Sequence, residues 1–164
     1  MDPIIFVLVA LVALLAVVVA VPFIALERKR IRSGGSSSSS TKVSDVPAIA
    51  VEFLSRNPKD GSFIVFLTDE CGKDGAASFT QISVEGGQIG VDHVFTADLN
   101  RRSSAKFEAL MSESGVIVRH HSQNDVDYLR GQTENAPALA REILRSVLGY
   151  ADDRSVSVIE EFVE

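Results

Sequence analysis

The sequence predicts a two-layer α+β domain with a mostly antiparallel sheet, preceded by one transmembrane helix. Three observations predict it. Residues 4–26 form a 23-residue stretch without a charge. Gly86-Gly87 separates two runs of alternating apolar residues, the pattern of a tight hairpin. Two helical stripes, one beginning at Val46 and one at Ala136, flank the strand-like runs and must cover an apolar sheet face. The expected element order is α-β-β-β-α-β-β-α.

The first element is the apolar stretch "IIFVLVALVALLAVVVAVPFIAL". As a helix it spans about 34 Å, enough for a bilayer core. A cleaved signal peptide would place positive charge ahead of a shorter run. Here Asp2 precedes the run, and Arg28, Lys29, Arg30 and Arg32 follow it. Basic flanks prefer the cytoplasmic side. The expectation is therefore a single-pass protein of the inner-membrane type, N-terminus outside, with residues 1–32 as anchor and membrane-flanking group. Residues 33–43 read as a flexible linker from their Ser/Gly composition. Residues 44–164 read as a soluble, cytoplasmic domain.

That domain is acidic. The whole chain carries a net charge of -6, and from Lys42 onward 12 Lys+Arg stand against 20 Asp+Glu, a balance of -8. Such a balance argues against nucleic acid and against flat docking on an anionic surface. The single cysteine, Cys71, excludes an internal disulfide and fits a reducing compartment.

Within the domain, Val46, Ile49, Ala50, Phe53 and Leu54 make one helical stripe, with Ser44 placed to cap its start. "SFIVFLT" is an unbroken apolar run and reads as a buried strand. The Gly86-Gly87 turn pairs residues that sum to 173, so Ile82 faces Val91 on the core face, and Gln81 faces Asp92 on the other. "SSAKFEALMSESG" reads as a short helix facing Phe107, Leu110 and Met111 inward and ending at Gly115. "GVIVRHH" and "VDYLRG" read as two strands around "SQND". The last helix shows Ala136, Leu139, Ala140, Ile143, Leu144 and Val147 on one side, with Asn135 at the cap and Gly149 as the stop. The tail "SVSVIEEFVE" reads as an edge strand or a short helix.

This order over residues 44–150, with "FTQISVEGGQIGVDHV" as central hairpin and "APALAREILRSVLGY" as closing helix, resembles type III secretion chaperone-like domains, including the bacterial YbjN (TY-Chap) group. The resemblance implies a small domain that binds other polypeptides through its sheet or helix faces, often as a homodimer, without catalytic residues. The chain has no tryptophan, which several members carry near the second hairpin.

Any chemistry would sit in the polar clusters. With "SQND" as a four-residue loop, opposite residues sum to 247 and His120 faces Asp127. The adjacent His121 points to the other face, so the two histidines do not share a metal. A His120–Asp127 pair orients a general base only where a nucleophile is at hand, and no motif supplies one. His93 lies on the core face. "TDECGKDG" misses the EF-hand oxygen spacing, and its acidic groups disfavour a reactive Cys71 thiolate. "EGGQIG" opens no helix and is no phosphate loop.

The expectation is a membrane-anchored, non-catalytic protein-binding module, chaperone-like or adaptor-like, with no metal and no cofactor. Strand parity offers Phe79, Gln81, Asp92 and Val94 as its contact residues. Two alternatives stand beside it. One is an enzyme or small-ligand domain in which His93, His120 and Asp127 converge. The other is a structural subunit of a membrane complex.

Overall fold

A computed structural model describes residues 37–71, 76–123 and 125–163. Seven strands form one sheet in the order β1-β7-β2-β3-β4-β6-β5, and every neighbouring pair is antiparallel. In chain order these are β1 (Ser37–Lys42), β2 (Phe63–Cys71), β3 (Ala77–Glu85), β4 (Gln88–Val94), β5 (Val118–Gln123), β6 (Val126–Gln132) and β7 (Ser155–Glu161). The helices are α1 (Val46–Ser55), α2 (Asp98–Arg102), α3 (Ser104–Glu113) and α4 (Ala136–Glu142). Among the described residues four helices and seven strands thus replace the three and five expected of the domain.

Helices α1, α3 and α4 are amphipathic and turn their apolar stripes to one side of the sheet. Val46, Ala50 and Phe53 of α1, Phe107 and Met111 of α3, and Leu139 and Ala140 of α4 meet Ile64, Phe66, Ile82, Val91 and Leu129 in one core. α4 passes into a π turn at Ile143–Val147, which keeps Ile143, Leu144 and Val147 buried before Gly149, at φ 81°, ends the element. Capping is weaker than the sequence suggested. Ser44 lies in a 3-10 turn and donates to Asp45 instead, and Asn135 makes no side-chain cap bond.

The first hairpin follows the residue types. Gly86 and Gly87 both have positive φ, 58° and 71°, as a type I′ turn needs. Gln81 pairs with Asp92, Ile82 with Val91 and Val84 with Ile89.

The fold class needs correcting at both ends. The Ser-rich stretch read as linker is a strand from Ser37, because β7 supplies it with a complete antiparallel partner from Ser37↔Glu160 to Lys42↔Ser155. The tail is no edge element: β7 lies inside the sheet, between β1 and β2. The expected transmembrane helix is corrected as well. Among the described residues no helix is long and apolar enough to cross a membrane. The longest described helices have ten residues and reach about 15 Å, half a bilayer core. Residues 4–26, with Arg28, Lys29, Arg30 and Arg32, lie outside the described residues. The single-pass inner-membrane placement rested on that helix and is dropped with it.

The second hairpin also differs. Its strands close to Gln123↔Val126, leaving a two-residue turn with Asp125 at φ 64°. Aspartate tolerates that conformation, so the four-residue loop gives way to one more cross-strand pair. His120 therefore faces Leu129, and Asp127 faces Ser122. The slip is two residues, so each side chain keeps its expected face.

Candidate binding face of the sheet

Side chains alternate across a strand, so the residues left out of the core gather on the opposite face. One cross-strand row there runs Ile159, Val65, Gln81, Asp92, Arg130, Arg119. Leu67 and Phe79 pair beside it, as do Val94, Tyr128 and His121. Phe63, Leu67, Phe79 and Ile159 are half-buried, yet none belongs to the core under the helices. Among the described residues the helices cover only the other face.

The four proposed contact residues do share this face, but they divide by accessibility. Phe79 and Gln81 are half-buried, whereas Asp92 is 1% and Val94 3% exposed. Asp92 and Val94 support the surface and do not offer it.

Asp92 belongs to a buried polar cluster. Arg130, 2% exposed, donates from Nη1 to Asp92 Oδ1 at 2.7 Å and to Ser83 Oγ at 2.6 Å. Its Nη2 donates to the Gln88 carbonyl at 3.1 Å. The Ser83 hydroxyl and the Gln81 amide both donate to Asp92 Oδ2. Burial pushes the Asp92 carboxyl up, and the Arg130 guanidinium opposes that push. The arrangement needs Gly90. A Cβ there would stand 2.4 Å from Arg130 Cζ, so the guanidinium lies across β4 only because position 90 has no side chain. Buried charges survive when paired and hydrogen-bonded, and here the pair spans β3, β4 and β6. Arg130, Ser83 and Gly90 were missed from the sequence. A glycine inside a strand was the available signal, since it often marks a close approach.

The histidines do not assemble a site. His93 is fully buried, stacked on Phe107 at 4.8 Å, and donates from Nε2 to the Asn100 carbonyl at 2.7 Å. Among the described residues its Nδ1 has no partner, and burial lowers its pKa to about 4. His120 shares that face but is exposed, and the Phe95 ring stands between them, 6.0 Å from each. Asp127 is exposed on its strand and aligned with Ser122. His121 stacks on Tyr128 across the other face. Among the described residues no group of three His, Cys, Asp or Glu side chains could hold a metal ion.

No family model, curated protein or solved structure matches this chain.

Near the β3–β4 turn the helix-free face is open to a cavity of about 290 Å³, whose lining includes Glu85, Ile117, Arg119, His121 and Arg130. Glu85 lies 3.6 Å from Arg130 Nη1, and Arg119 forms no ion pair among the described residues. The face therefore has two halves. The half over β7, β2 and β3 is apolar and aromatic, and the half over β4, β6 and β5 is polar and charged.

Proposed function

We propose that the domain is a non-catalytic protein-binding module, chaperone-like or adaptor-like, that receives a partner polypeptide on the helix-free face of its sheet. One observation carries the proposal. Phe63, Leu67, Phe79 and Ile159 lie together on that face as partly exposed apolar groups, and among the described residues no helix packs over them. Contiguous apolar surface of this kind marks sites of association. The buried Asp92–Arg130 pair beside it fixes the strands, so the surface is presented preformed. The resemblance to type III secretion chaperone-like domains points the same way.

The test is site-specific photo-crosslinking in cells. A photoreactive residue replaces Phe79 in one protein and Val51 in another. Val51 is 57% exposed on α1. Protein adducts from position 79 that are absent from position 51 are the expected result. Equal adducts from both positions, or none from position 79, would remove the proposal.

A further inference from the structure

The free edge of β5 is shaped for a particular kind of partner. Among the described residues β5 ends the sheet, so one side of its backbone has no described strand beside it. Proteins usually guard such an edge with lysine, proline or a bulge. β5 has no lysine, proline or bulge, its one charged side chain is Arg119, and its register with β6 runs unbroken from Val118 to Gln123. Just ahead of it Ile117 is 79% exposed.

The side chains of this edge all lean one way in charge. Val118–Gln123 holds Arg119, His120 and His121 and no acidic residue, inside a domain whose balance is -8 from Lys42 onward. Arg119 and His121 project over the 290 Å³ cavity. Below them Arg130 is matched by Asp92 and approached by Glu85, and Arg119 forms no ion pair among the described residues.

The same charges argue against a second copy as the occupant. Two β5 strands related by a twofold axis pair antiparallel, and residues facing each other must point to the same side of the sheet. No central register then brings a carboxylate opposite Arg119. Arg119 meets itself, or Arg119 meets His121, or His121 meets itself. Like charges directly opposite one another are destabilising. An acidic strand in the same place would be attracted.

We propose that β5 accepts an extended, acidic segment of a partner polypeptide as an additional strand, with alternate carboxylates over Arg119 and His121 and an apolar side chain against Ile117. Main-chain hydrogen bonds supply affinity in this mode, and the alternating side chains supply specificity. The inference rests on the reading of the domain as a protein-binding module and names the class of partner.

The experiment measures binding of short fluorescent peptides to the full chain by anisotropy. One peptide alternates glutamate with valine, and its counterpart alternates lysine with valine. The glutamate peptide should bind and the lysine peptide should not. Arg119→Glu, at an exposed position, should weaken the glutamate peptide about tenfold, as reversal of a partly exposed charge pair does. Two further glutamate peptides carry backbone N-methyl groups on one or the other set of alternate residues. Only one set of N–H groups faces β5, so one pattern should abolish binding and the other should leave it.

Equal tolerance of both methylation patterns overturns strand addition. Binding of both peptides alike overturns the acidic specificity. A dimer of the full chain that Val118→Pro dissociates would give the edge to a second copy and overturn the proposal. Peptide binding is read separately from the adducts at position 79. Adducts without peptide binding refute this inference and spare the face, and peptide binding without adducts does the reverse.

Discussion

Acidification should unfold this domain partly through one side chain, His93. Its ring has 0% exposure, lies flat on Phe107 and gives its only proton, on Nε2, to the Asn100 carbonyl. A second proton would have to sit on Nδ1, which has no partner among the described residues. Burial accordingly lowers the pKa from 6.5 to about 4. The unfolded chain therefore binds a proton below pH 6.5, and the folded chain does not until about pH 4. In that window the unfolded state holds more protons, so stability rises with pH across it and is lost as pH falls through it. At 1.36 kcal/mol per pKa unit the contribution is about 3 kcal/mol, present in full above pH 6.5. The assay is urea unfolding of the parent and of His93→Gln, from about pH 7.5 to about pH 4. With an m-value of about 2 kcal/mol/M, the parent midpoint should fall by about 1.5 M more than the variant's. Asp92 responds in the opposite sense, because burial raises its pKa. Both proteins share that response, and the difference between them isolates His93. Parallel pH curves for parent and variant would refute the reasoning.

Three further outcomes follow from the geometry. Asp92→Ala should cost about 3–5 kcal/mol by stranding the buried Arg130 charge, and Asp92→Leu combined with Arg130→Met should recover most of it, both read by urea unfolding. Gly90→Ala should destabilise by about 2–4 kcal/mol, because the methyl displaces Arg130 from its partners; an unchanged midpoint would show that the guanidinium can move aside freely. Asn100→Ala should cost about 1–3 kcal/mol, since the Asn100 side chain donates to the Phe79 carbonyl at 2.9 Å and accepts from the Phe79 amide, and its loss leaves both groups unpaired.

Local residue patterns were a good guide where they acted locally. The glycine pair at 86 and 87 fixed a turn type, the turn fixed a register, and the register put Phe79, Gln81, Asp92 and Val94 on one face. The apolar stripe from Ala136 to Val147 was legible for the same reason, although its change to a π turn at Ile143 was not. What escaped depended on distant partners. Ser37–Lys42 has the composition of a linker and becomes a strand only through β7, more than a hundred residues away. Arg130 read as one more charged residue on a strand. Its burial depends on Asp92 and Ser83 from two other strands and on the missing side chain of Gly90. The His120–Asp127 pairing failed on a turn two residues shorter than expected, a choice made by Asp125 accepting positive φ.

The interior position of β7 has a consequence for how the domain comes into being. On a ribosome β1 and β2 emerge early and β7 last of the seven strands, yet β7 is the slat between them. Until it arrives, β1 has no described neighbour and β2 shows an open flank, so the nascent sheet stops at β2. Pairings across such long separations form slowly, and unpaired flanks invite wrong partners. A nascent chain stalled before Ser155 should thus be sensitive to protease at Ser37–Lys42, and release of the remaining strand should confer protection in a single late step.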